Sequence, residues 1–227
     1  MRVRYTGLAA IAVLWTFIPI ALWQSHLSLT GSAPLNELSQ ERGADLWFSG
    51  GLALAALLLV PFHGYLTERY TLSAWFSGLM LAGIVAQFAA AVVPMGEDLR
   101  SSVHQIAAAV FGAVIPLILW RFAMEQHAGR WRDLCFALVA VDVVACALGI
   151  ALAATDHPAL GQVVAMIGFH LWVVAVTVKP RGDAEDIPAH VWDANTIGVD
   201  PFLAVALRGV KVAVPERDAE RARALLG

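Results

Sequence analysis

Long apolar runs alternate with short polar connections along the chain, and the runs are close to one length. A helix crossing the hydrocarbon core of a bilayer needs about 20 predominantly apolar residues. Six segments meet that requirement: 5–23, 44–65, 73–95, 104–122, 133–153 and 161–178. Turn-forming residues such as Gly31-Ser32-Ala33-Pro34 and Asp156-His157-Pro158 separate them. Lipid offers no partner to backbone N–H and C=O groups, so every run is predicted to be helical. The pattern changes at Pro180, where residues 180–188 form a charged linker without an apolar face. Beyond it, His190-Val191-Trp192-Asp193 predicts a short strand, and residues 210–214 alternate with the period of two that marks another. Pro215 then opens a predicted helix over 216–226. Its acidic residues Glu216, Asp218 and Glu220 fall in the first turns, where they complement the helix dipole. The fold class is therefore an all-α polytopic membrane bundle of six transmembrane helices over residues 1–179. A small cytoplasmic α/β tail follows at 189–227.

Composition supports the bilayer as solvent. Of 227 residues, 59% are hydrophobic and 15% charged, with mean hydropathy +0.69. A soluble domain is about 45–50% apolar and about 25% charged. A formal net charge of −3 and the lack of any basic block exclude nucleic acid as a partner. The two cysteines, Cys135 and Cys146, share one run, about 16 Å apart along a helix axis, too far to bridge.

Cations near the run ends set the orientation. One side receives Arg2, Arg4, Arg69, Arg121, Arg130, Arg132, Lys179 and Arg181, the other only Arg42 and Arg100. The positive-inside rule then places both termini in the cytoplasm, and a bacterial inner membrane is the expected location. Trp23 and Trp47 fall at the outer interface, and Trp75, Trp120 and Trp131 at the inner one; Trp15 and Trp172 lie deeper, as packing residues. Met1-Arg2-Val3-Arg4 has the charge of a signal-peptide start, but the following run exceeds the usual 7–15 residues and Pro34 would follow the scissile bond. The first run is expected to remain as a span.

Ionisable residues inside a span are expensive and normally face the bundle interior. Asp142 lies nine residues from the cytoplasmic end of its run and His170 about eight from the end of its own. Equal depth on adjacent antiparallel helices predicts an Asp142–His170 pair, either a proton-handling or a structural one. The alternative is a packing role for Asp142, which shares a helix face with Cys135, Ala145, Cys146 and Gly149, small residues suited to close helix contact. Further interior stripes are predicted at Asp45, Ser49, Ala53, Ala56 and His63 in the second run. The third contributes Gly83, Gln87, Ala91 and Pro94, and the fourth His104, Ala108 and Gly112. Polar atoms are sparse in these stripes, which argues against a wide aqueous pore.

The outer rim gathers His26, Asp45, Glu97, Asp98, His104, Asp156 and His157. Such nitrogen and carboxylate donors suit zinc, which in catalytic sites keeps one open position. Asp45 with Ser49, and Asp98 with His104, resemble the outer-face metal site of the intramembrane amide hydrolases related to alkaline ceramidases. That resemblance implies a zinc-dependent hydrolase with Asp45, Ser49, Asp98 and His104 at its site. The sequence departs from the family pattern in having no HxxxH pair. No GxGxxG, P-loop, GxSxG or HExxH motif occurs. Nor does a three-plus-three repeat with matched broken helices, as a transporter would usually show.

Two further resemblances bear on organisation. Leu38-Ser39 with Gly43, and Glu97-Asp98 with His104, are similar to a large bacterial family of six-helix membrane proteins of unknown function, which implies architecture only. In the tail, Asp193-Ala194-Asn195, the segment from Pro201 to Pro215 and Asp218-Ala219-Glu220-Arg221-Ala222 resemble the C-terminal half of a small bacterial domain of putative signal-transducing proteins. Together these observations predict a non-catalytic sensor, regulatory or accessory subunit with no cofactor. Its partners are expected to be the bilayer and a protein, or a second copy, reached through the tail and the small-residue helix faces. A zinc hydrolase and a small transporter are the alternatives.

Overall fold

The computed structural model describes residues 3–93 and 99–179 and, further on, 190–192, 211–213 and Glu220. The chain divides into two compact units, Met1–Val178 and Lys179–Gly227.

In the first unit all six apolar runs are helices: α1 (Thr6–Gln24), α2 (Ala44–Tyr70), α3 (Ala74–Val92), α4 (Leu99–Met124), α5 (Arg130–Ala154) and α6 (Pro158–Val178). Each is long and apolar enough to cross a membrane. Helix α2 runs five residues past the apolar segment, because nothing in Leu66-Thr67-Glu68-Arg69-Tyr70 breaks it before Thr71 turns left-handed at φ 49°. Ser73 then starts α3 by accepting a hydrogen bond from Phe76 N–H at 3.3 Å, satisfying one of the free donors of a first turn.

Successive helices pack side by side, and α6 also meets α1 and α4. Large apolar side chains such as Leu46, Val60, Val85, Ile106, Val144 and Ile150 point outward, as lipid-facing positions should. At one end the buried rings of Phe62, Phe76, Phe122 and Trp172 form an aromatic core, with Phe122 and Trp172 edge to face at 5.2 Å. The start of α1 and the end of α6 meet there, since a Cβ on Gly7 would lie 2.9 Å from Val173. The opposite end is strapped by the α1–α2 connection. Its 3₁₀ turn, Leu35–Ser39, buries Leu35 and Leu38, and Leu35 N–H donates to Gln162 Oε1 of α6 at 2.7 Å. Nearby, His157 Nδ1 pairs with Thr30 O at 3.0 Å.

Not every predicted stripe faces the interior. Along α2 the buried line is Phe48, Gly51, Ala55, Ala56, Leu59 and Phe62, so Ala56 faces the interior as predicted, while Asp45 is exposed and Ser49, Ala53 and His63 are half-buried. In α4, His104 is buried but Gly112 is exposed, and the core line continues through Ala107, Ile115, Ile118 and Phe122. Steps of four residues advance about 40° around a helix, so two such steps carry Gly112 off the face that His104 begins. Pro94 lies outside the described residues.

In the second unit, the two stretches marked by sequence pattern pair as short antiparallel strands, β1 (His190–Trp192) and β2 (Lys211–Ala213), with Val191 opposite Val212. The linker 180–188 and nearly all of the predicted helix 216–226 lie outside the described residues.

Candidate functional site

The two intramembrane ionisable residues do occupy one depth, but they face different partners. Asp142 is fully buried where α5 crosses α6, and a Cβ on Gly168 would collide with its Cα. The carboxyl lies against the α6 backbone at Gly168 and Phe169, and among the described residues neither oxygen has a partner in hydrogen-bond geometry. Above this level Gly149 and Gly161 touch so closely that a Cβ on either would run into the other's carbonyl oxygen. Cys135, Leu138, Asp142, Ala145 and Gly149 are all buried along α5. Their spacing of three and four residues makes a continuous seam for close helix packing.

His170 turns the other way. At 100° per residue it stands 200° from Gly168 around α6, which directs it away from α5. No hydrogen bond or ion pair joins it to Asp142 among the described residues, so the predicted pair is replaced by two separate contacts. His170 Nδ1 accepts a hydrogen bond from the indole N–H of Trp15 at 3.1 Å, with the rings edge to face at 6.0 Å. Trp15 is therefore a hydrogen-bonding residue as well as a packing one. The signal was present in the sequence: Trp15 lies nine residues into the first span, as deep as His170, and an indole N–H in hydrocarbon needs an acceptor.

His170 and Gln87 supply the polar groups of a small cavity inside the bundle. Its walls come from five helices, with Leu14, Leu59, Phe111, Ile115 and Phe169 among the apolar side chains, and it has room for about one or two water molecules. Gln87, 2% exposed, donates through Nε2 to the Leu52 carbonyl at 3.0 Å. That bond ties α3 to α2 in the middle of the bundle.

At the strapped end, Asp45 Oδ1 accepts from Gly43 N–H at 3.1 Å and Leu46 N–H at 2.8 Å, which occupies it with the first turn of α2. His104 is 1% exposed. Its Nδ1 pairs with Val93 O at 2.7 Å, and its Nε2 is buried with no partner among the described residues. Asp98 and Glu97 lie outside the described residues. Among the described residues no three His, Cys, Asp or Glu side chains come together as a metal site.

At the other end, Glu125 accepts from Ser73 N–H at 2.8 Å and from its hydroxyl, and pairs with Arg121 at 2.6 Å. Tyr70 stacks on Trp131 and donates its hydroxyl to Val176 O at 3.2 Å, pinning the last turn of α6 to the end of α2. The described side chains here include six cations (Arg4, Arg69, Arg121, Arg130, Arg132, Lys179) and three anions (Glu68, Glu125, Asp133), a balance of +3. Among the described side chains the strapped end has Arg42 against Glu37, Glu41, Asp45 and Asp156, a balance of −3.

No family model, no curated protein and no solved structure matches the chain.

Proposed function

We propose that the protein is a multi-pass sensor, regulatory or accessory subunit of a bacterial cytoplasmic membrane, without catalytic activity of its own. In this reading the six-helix unit is anchored with both termini in the cytoplasm, and the C-terminal unit contacts a partner protein or a second copy. The observation that carries it is the division of the chain into two compact units, the second beginning directly after α6. Fixing the last turn of α6 through Tyr70 and the buried Val173, Val176 and Thr177 gives that attachment point a defined position. The charge balance of +3 at the terminal end supports the cytoplasmic orientation.

Deleting residues 183–227 and repeating cross-linked pull-down from membranes tests the proposal. Loss of a specific partner or of self-association, with insertion retained, is the expected result; an unchanged set of partners counts against it. One observation favours the competing hydrolase: the buried Nε2 of His104 near the strapped end, which has no hydrogen-bond partner among the described residues. Metal analysis of the purified protein separates the two. Stoichiometric zinc that disappears in both Asp98→Ala and His104→Ala would overturn the non-catalytic reading.

A further inference from the structure

The hydrogen bonds around the interior cavity all run in one direction. Trp15 N–H can only donate, so His170 Nδ1 is the acceptor and the ring proton sits on Nε2. The Leu52 carbonyl can only accept, so the Gln87 nitrogen faces it and Oε1 remains as an acceptor. The chain thus runs from Trp15 on α1 to His170 on α6, then resumes from Gln87 on α3 to Leu52 on α2. Between the two halves stand a donor and an acceptor for which no hydrogen bond is found among the described residues, and a cavity that both residues line. Both are at least nine-tenths buried, at 8% and 2% exposure. No hydrogen bond joins them directly among the described residues.

We propose that this cavity is a built water site, in which ordered water accepts from His170 Nε2–H and donates to Gln87 Oε1. Only a molecule that both accepts and donates can close the gap, and hydroxyl chemistry does so with the least volume. The space suits about one or two waters, and a buried water needs at least two polar partners, which these residues provide. With water in place, four helices are joined by a single hydrogen-bond chain through the middle of the bundle, where lipid offers no substitute for any link. The proposal is independent of the role assigned to the C-terminal unit.

Magnetic resonance on the full chain in lipid bilayers, with ¹⁵N-labelled histidine and His170 assigned by its loss in His170→Gln, gives the direct test. The expected spectrum shows the Nε2-protonated tautomer with magnetisation transfer from water to Nε2–H, and that transfer drops severalfold in Gln87→Leu. A proton on Nδ1, no transfer in the wild type, or undiminished transfer in Gln87→Leu overturns the proposal. Thermal unfolding supplies a second measurement. The Tm shift caused by Gln87→Leu should be smaller in a His170→Phe background, where the bridge is already gone and only the Leu52 bond remains to be lost. An equal shift in both backgrounds would show two independent residues and no bridge. Should Gln87→Leu fail to fold, Gln87→Met keeps the length of the side chain without its acceptor and carries the same comparison.

Discussion

Helix α6 has two working faces, and they solve opposite problems. Toward α5, Gly161 and Gly168 remove side-chain volume so that backbones touch, and Asp142 fills the space against Gly168. Toward α1 and the interior, Phe169, His170 and Val173 add volume, and His170 recruits a hydrogen bond from Trp15. Lipid supplies no hydrophobic driving force between apolar helices, so association must come from close packing or from hydrogen bonds. One helix uses both means on opposite sides. The first face tolerates no added atom, whereas the second leaves a cavity.

The sharpest way to break this arrangement is to add volume to the first face. Gly168→Leu drives a side chain into Asp142 Cα, and only displacement of α5 can relieve it. Overpacking typically costs 1–3 kcal/mol, and a collision with backbone belongs at the upper end, about 3 kcal/mol. Thermal unfolding in detergent or nanodiscs should show a large fall in Tm. A change indistinguishable from zero would mean that the two backbones do not meet at this point.

The second face responds to loss of a bond. Trp15→Phe keeps an aromatic ring but removes the donor to His170 Nδ1, leaving that nitrogen facing hydrocarbon. Interhelical hydrogen bonds in membranes are worth about 0.6 kcal/mol on average and up to about 1.7. A burial penalty for the abandoned acceptor raises the expected loss to about 1–2 kcal/mol. His170→Phe in the same background should add a smaller loss, that of the proposed water contact at Nε2–H, and no additional loss would mean that the ring has no partner besides Trp15. Asp142→Asn comes next in size. The amide has the shape of the carboxyl, so the seam is preserved and the shift should stay within about 1 kcal/mol. Retained folding with impaired partner contact or signalling would instead point to proton handling by the carboxyl.

What the sequence disclosed about these faces depends on the coordinate considered. Depth was legible: counting 1.5 Å per residue puts Asp142 and His170 at one level, and the structure places Asp142 against Gly168, two residues from His170. Azimuth was not, because it depends on which neighbour each face meets, and two residues along a helix reverse the direction. The small-residue stripe on α5 was readable because a run of small side chains has few uses other than close contact. Trp15 reads as a packing residue in the sequence because indole serves equally well as an apolar body. Its donor role depended on an acceptor 155 positions away in sequence. The cavity depends on five helices at once, and no single stretch of sequence carries that information.

Gly112→Ala is the smallest effect and the control on which the comparison depends. Its place four residues after Ala108 makes it look like another close-packing glycine of the interior. In the structure it is exposed, and a Cβ there would meet nothing within 4 Å. Alanine is favoured over glycine in a helix by up to about 1 kcal/mol, so Tm should stay level or rise slightly. Gly161→Ala makes an equal chemical change where the new atom runs into the Gly149 carbonyl, and Tm should fall. Opposite signs for one added methyl group would assign the close approach to the α5–α6 seam rather than to glycine content in general. A fall of similar size in both variants would instead mean that α4 is rotated, with Gly112 turned toward a neighbouring helix.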